Sequence, residues 1–180
     1  GCNPCSEIIL RPYQFCNLTE VVCRATDTIE TLKEKVEVAT ILGTLQSTLT
    51  DFKYLRKVWK HNTEEERLLG VSLTGILDCP ILAPNSVALE PTLIKLREVA
   101  VQTNKKYAKM LDIPQSTAIT CVKPSGTVSQ LVDSASGIHA RHSEYYIRTV
   151  RAGNTDPLTH FLKDAGIPAE PDAGKPDANT

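Results

Sequence analysis

Apolar residues recur at three- and four-residue steps through Ile29, Leu32, Val36, Ala39, Leu42, Leu45 and Leu49. This is the single stripe of a long amphipathic helix. Asp27 and Glu30 have the spacing of a reciprocal cap at its start. Gly43 within it costs about 1 kcal/mol against alanine, which predicts close packing there. A second stripe, Leu93, Leu96, Ala100, Thr103, Tyr107 and Met110, predicts a helix from about Leu89 to Leu111. β-Rich runs predict strands at "SEIIL", "TEVVC", "GVSLTGIL", "STAITCVK" and "EYYIRTVRA". Shorter helices are expected at "TEEERLL", "TVSQLVD" and "DPLTHFLKDAG", the last started by Asp156 and Pro157 and closed by Gly166. "FKYLRKVWKHN" fits either a helix or a connection, prolines 80 and 84 mark a loop, and the tail after Pro168 reads as loop. Strands alternating with helices give the class α/β, with parallel βαβ units.

Composition narrows the partners more than the fold. The chain has 180 residues, 41% hydrophobic and 23% charged, with a formal net charge of −1. That balance is ordinary for a soluble globular domain and gives no basic surface for nucleic acid. No apolar run approaches the ~18 residues of a spanning helix, and no signal-peptide plan opens the chain. The expectation is therefore a cytoplasmic protein that engages neither nucleic acid nor membrane. Cysteines 2, 5, 16, 23, 79 and 121 are too scattered for a disulfide framework, and Cys79 and Cys121 read as small core residues. A glycine start, a single methionine at 110 and the polar end "PDAGKPDANT" read as an internal piece of a larger protein.

The first residues, "GCNPCSEIIL", hold the densest chemistry. Zinc on Cys2, Cys5, Cys16 and Cys23 is one reading, but structural zinc sites usually use two tight pairs. A redox Cys-x-x-Cys is another, but it should open a helix, and "SEIIL" is strand-like. In an extended chain, Asn3, Cys5 and Glu7 project from one face, which gives a row of amide, thiol and carboxylate. Farther on, "KPSGT" lacks the P-loop pattern. It is still a small-residue turn from a strand into a helix, where free N–H groups and the helix's positive end suit an anion. A plain turn with a Ser/Thr cap is the alternative. His61, His139, His142 and His160 read as surface or structural residues, "EEER" as a solvated helix face, and Arg141 as a possible neutraliser of phosphate.

Three stretches carry a family resemblance: "NPCSEIILRPYQFCNLTEVV", "LLGVSLTGILD" and "KPSGTVSQLVDSASGIHARHSEYYIRTVR". Together they resemble ribonucleotide reductases, most closely the adenosylcobalamin-dependent class II enzymes. The resemblance implies the second half of a ten-stranded α/β barrel over residues 1–168, with 169–180 a loop or fragment end. It implies conversion of ribonucleotides to 2′-deoxyribonucleotides for DNA synthesis, with adenosylcobalamin as cofactor and thioredoxin or a similar dithiol as reductant. Cys5 becomes the thiyl residue, Glu7 the general base at the 3′-hydroxyl and Asn3 its orienting partner. Cys16 becomes one of the reducing pair, whose other member lies upstream in the family. Ser125, Gly126, Thr127 and Val128 hold the nucleotide's phosphates, while Cys2 and Cys23 match no catalytic position, and no metal site is implied. The alternatives are a class I reductase large subunit, or a zinc- or phosphate-binding module without catalysis.

Overall fold

Two strands, β1 (Asn17–Val22) and β2 (Leu69–Thr74), run parallel in the register Asn17↔Leu69 through Val22↔Thr74. A third parallel segment follows at 118–121, where Leu69 and Val71 donate to the carbonyls of Ala118 and Ile119, and Cys121 donates to that of Val71. The computed structural model describes residues 1–179 and contains two compact units, residues 1–141 and the chain from His142 onward. In the first unit, α1 (Ile29–Gln46) connects β1 towards β2, and α3 (Leu89–Met110) connects β2 towards the 118–121 segment. The α/β class and its parallel βαβ units are thus present.

Strand alternation sorts the sheet into two faces. Val21, Leu69 and Val71 join Leu32, Val36, Leu96 and Ala100 in the buried core beneath α1 and α3. Leu18 and Gly70 point to the opposite face, because successive strand residues alternate. A Cβ on Gly43 would lie 3.5 Å from Leu69 and 3.6 Å from Thr19, ordinary contact distances, so the helix–sheet packing there leaves room for alanine and does not require the glycine.

The helices differ from the sequence pattern in their details. Thr28, not Asp27, caps α1, in a reciprocal box with Thr31. Asp27 sits just outside it and accepts from Thr31 (2.9 Å), the Arg24 amide (2.7 Å) and Lys35 (2.6 Å). In the second half of α1 and the turn after it the leucine stripe faces outward: Leu42, Leu45 and Leu49 are exposed, and Thr40, Gly43, Thr44 and Ser47 are buried. The reason is polar pairing. Thr40 and Thr44 bond carbonyls one turn back, and the fully buried Asn104 of α3 donates to Thr44 and to Ser116 while accepting from the Ser116 amide. On α3, Leu93 and Met110 of the expected stripe are likewise exposed.

Elsewhere, α2 (Lys57–Glu66) absorbs most of both the ambiguous and the "TEEERLL" stretches. Short 3₁₀ turns occupy Ile76–Asp78 and Pro80–Leu82, and α4 (Thr127–Leu131) follows the "PSGT" turn. "SEIIL" forms no regular strand; residues 1–10 make an irregular hairpin with one bridge, Cys2↔Ile9. "EEER" is only partly solvated, because Arg67 is buried and donates to the Ser47 carbonyl at 2.7 Å.

In the second unit, "EYYIRTVRA" is not a strand: 144–151 is exposed and irregular, and β3 is confined to Ala152–Gly153. Helix α5 (Pro157–Asp164) begins as expected, with the Asp156 side chain accepting from the Leu158 amide at 2.9 Å. The expected terminal loop instead carries β4 (Pro171–Asp172) and β5 (Lys175–Asn179), in an antiparallel sheet of order β3-β5-β4. Thr180 lies outside the described residues. Among the described residues, no helix is long and apolar enough to cross a membrane.

Asn104→Ala should destabilise the first unit by about 1–3 kcal/mol, the cost of leaving the buried Thr44 and Ser116 groups unpaired. A lowered urea midpoint at unchanged slope checks this.

Candidate active site

The hairpin at residues 1–10 is pinned by backbone bonds. Gly1 and Leu10 exchange two hydrogen bonds, and the Asn3 amide donates to the Ile8 carbonyl at 3.1 Å. Between them Asn3-Pro4-Cys5-Ser6 makes a turn closed by Ser6 N–H to Asn3 O at 2.9 Å, with proline at the position that favours its fixed φ. Ser6 then adopts a left-handed φ of 62°, which costs a non-glycine residue about 1 kcal/mol. Asn3 and Glu7 therefore meet through a turn, not through strand alternation. The Asn3 amide donates to Glu7 Oε1, and its Oδ1 accepts from the Ile8 amide at 3.0 Å.

Cys5 is exposed at the apex of this turn, while the Glu7 side chain is only 7% exposed. Lys123 reaches in from beyond the 118–121 segment, with its Nζ 2.9 Å from Glu7 Oε1 and 4.0 Å from Cys5 Sγ. Burial by itself would raise the Glu7 carboxyl. Hydrogen bonds from Lys123, the backbone and Asn3, with the lysine's charge, outweigh it and hold the group below its ordinary value. The other carboxylate oxygen, Oε2, is buried without a hydrogen-bond partner.

Cys16 lies at the entrance of β1, on the sheet face opposite the helices. A Cβ on Gly70 would stand 3.3 Å from Cys16 Sγ and 3.2 Å from Cys121 Sγ, so both sulfurs flank the bare glycine. A side chain at 70 would crowd both sulfurs, each closer than an ordinary Cβ contact, and would push the tip of Leu18 aside. Burial pushes the Cys16 thiol up to about 12, with Cys121 and Glu7 adding to the rise and Lys123 opposing it. Cys121 is half-buried here and also raised by burial, so it faces this site instead of filling the core. The approach to Cys16 is held against α2. Arg11 bridges Glu65 and Glu66, Gln14 donates to Glu66, and Phe15 stacks on Trp59 with centroids 4.6 Å apart.

At the phosphate-turn candidate, Ser125 is buried and its hydroxyl donates to Glu20 of β1, while Gly126, Thr127 and Val128 are exposed. Thr127 and Val128 open α4, where amides have no intrahelical acceptor. Gly137 packs beneath this turn at φ 55°, and a Cβ on it would stand 2.8 Å from the Lys123 carbonyl. Arg141 is engaged elsewhere: it bonds Asp78 at 3.1 Å and Asp133 at 2.8 Å, which raises its guanidinium further.

The structure thus gathers Asn3, Cys5 and Glu7, brings Cys16 within electrostatic reach of Glu7, and links the 125–128 turn to them through Lys123. Cys2 is exposed, and Cys23 is fully buried with Cys79 in the core. Among the described residues, no three His, Cys, Asp or Glu side chains converge as metal ligands. The sequence reading missed Lys123 and Gly70. The available signal for Lys123 was that it is the one charged residue between Ser116 and Val132.

No family model matches the chain. It is 34% identical to the adenosylcobalamin-dependent ribonucleoside-triphosphate reductase of Lactobacillus gasseri, over 98% of this chain and 27% of that protein. With the same-named enzyme of Lactobacillus acidophilus it shares 30% identity over 96% of this chain and 26% of the relative. A crystal structure of a B12-dependent class II ribonucleotide reductase superposes with a TM-score of 0.73 at 26% identity, over 99% of this chain and 28% of that one. The chain thus spans about a quarter of the length of the relatives it matches. In sequence and in fold, nearly all of this chain is thus similar to one stretch of the adenosylcobalamin-dependent ribonucleotide reductases.

Proposed function

We propose that this chain is part of the catalytic barrel of a cytoplasmic, adenosylcobalamin-dependent reductase that converts ribonucleotides to 2′-deoxyribonucleotides. One observation carries the reading: an exposed Cys5 thiol stands beside a buried, ionised Glu7 whose Oε2 has no partner. A thiol, a free carboxylate oxygen and an orienting amide are the groups that radical chemistry at a ribose C3′ requires.

The barrel reading rests on the sheet. Its strands are parallel and in chain order, the helices pack on one face, and Cys16 and Cys121 lie on the other. Among the described residues β1 pairs only with β2, and along its side runs a groove of about 470 Å³ lined by Val21, Val22, Val38, Ala39 and Leu42. An additional parallel strand and helix of a closed barrel would fill it.

An exposed cysteine outside any ligand cluster fits a radical-generating cofactor approaching from the open side of the turn. Adenosylcobalamin, when bound, supplies the hydrogen-abstracting radical by homolysis of its cobalt–carbon bond. Cys5 gives up its hydrogen atom and then takes the 3′-hydrogen of the ribose. Glu7 accepts the 3′-hydroxyl proton through Oε2 while Asn3 and Lys123 hold Oε1. The 2′-hydroxyl leaves as water with a proton from the thiol pair formed by Cys16 and its upstream partner. The pair's other hydrogen takes the hydroxyl's place at C2′, its two electrons complete the reduction as the sulfurs close a disulfide, and Glu7 returns its proton to the 3′-oxygen. Cys5 finally returns hydrogen to C3′, and thioredoxin or a similar dithiol reopens the disulfide. The exposed amides of Gly126, Thr127 and Val128 face the nucleotide's phosphates, with Ser125 fixing the turn through Glu20.

In the full-length enzyme, Cys5→Ser should abolish both reduction and cofactor-dependent hydrogen exchange; retained exchange removes Cys5 from the thiyl role. Cys16→Ser should spare cofactor cleavage but stop multiple turnovers, and a normal steady-state rate removes Cys16 from the reducing pair. Because its thiol is raised to about 12, alkylation of Cys16 by iodoacetamide should stay slow at pH 8 and climb with pH towards that value. Peptide mapping of the modified folded protein reads this directly.

A further inference from the structure

Lys123 has no role in the scheme that the sequence supports, yet it touches more of the centre than any other side chain. Its Nζ bonds Glu7 Oε1 at 2.9 Å and lies 4.0 Å from Cys5 Sγ, and the side chain is 22% exposed. Its carbonyl packs closely against Gly137, where a Cβ would stand 2.8 Å away, and two residues on, Ser125 is tied to Glu20. A largely buried carboxylate needs such a cation, since the charged form is otherwise driven out by the loss of water.

We infer that Lys123 is a positioning residue of the reaction centre: its ammonium pins one oxygen of Glu7 so that the other faces the substrate, and its backbone ties that geometry to the phosphate turn. This rests on the reductase reading above. The groups facing Glu7 are Asn3 and Cys5 from its own hairpin, Cys16 from the head of β1, Cys121 from the third parallel segment, and Lys123. Lys123 is the cation in that set. Without it, burial works on Glu7 against hydrogen bonds alone, and the carboxyl titrates at higher pH. The sign for activity follows: the basic form of Glu7 is then lost earlier as pH falls, so the acid limb of the rate profile moves upward.

The test compares Lys123→Met, Lys123→Gln and Lys123→Arg in the full-length enzyme, with circular dichroism and thermal melting as checks of folding. Lys123→Met and Lys123→Gln should lower kcat about a hundredfold, the scale of a misplaced general base. The KM for nucleotide should stay within about twofold, because the phosphate contacts are untouched. The acid limb should move to higher pH in both. Lys123→Arg should keep the limb near that of the wild type and recover at least about tenfold of the lost rate. An unmoved limb in a folded Met or Gln variant overturns the inference, even if the rate falls, because a merely structural lysine would give that result. Equal damage from arginine and methionine also overturns it. Wild-type enzyme that reduces no ribonucleotide overturns the reductase reading itself, and with it the reaction that Lys123 would serve.

Discussion

The parallel pairing of β1, β2 and the 118–121 segment is the constraint from which the rest follows. With α1 and α3 packed on one face, alternate residues of each strand are committed to the core, and the intervening ones must face the other way. Cys16, Gly70 and Cys121 share that second face, as does Glu20, which reaches Ser125. A slip of one residue in β2 would exchange Gly70 for a buried valine or leucine and close the space between the two sulfurs. Register therefore sets the chemistry of the open face as firmly as it sets the core.

Charge placement is the second constraint. A carboxylate as buried as Glu7 would ordinarily take up a proton, and here three kinds of donor compete with burial and prevail. Two of them, Asn3 and Lys123, act on the same oxygen. That asymmetry leaves Oε2 with lone pairs and no donor, a cost of about 1–3 kcal/mol for a buried polar atom. Oε2 is thus the carboxylate oxygen left open to an incoming hydrogen-bond donor.

Much of this was legible in the sequence, and the failures are specific. Long-range periodicity located α1 and α3, because a helix must bury one stripe whatever its neighbours are. It misjudged the far half of α1, where Asn104 draws Thr44 inward and turns Leu42 and Leu45 out; no pattern of hydrophobicity encodes a partner sixty residues away in the chain. Asn3, Cys5 and Glu7 were grouped correctly but by the wrong geometry. Proline and a left-handed Ser6 make a turn where the β-branched run suggested a strand. Arg141 looked available to phosphate until Asp78 and Asp133 were seen to hold it. Lys123 and Gly70 were invisible because their importance lies in distances between segments far apart in the chain.

The two proposed reactive cysteines show how one short stretch of chain can support two kinds of sulfur chemistry. Cys5 sits exposed at the apex of a turn. Cys16 is carried only a few residues farther, but Arg11, Gln14 and Phe15 lock the intervening segment onto α2 and deliver it to the mouth of the sheet. There burial keeps it a neutral thiol, with its hydrogen in place. A thiolate at that position would react with stray oxidants and add a second negative charge beside Glu7. The clamp on residues 11–15 thus fixes where this thiol lies, on the sheet face it shares with Gly70 and Cys121.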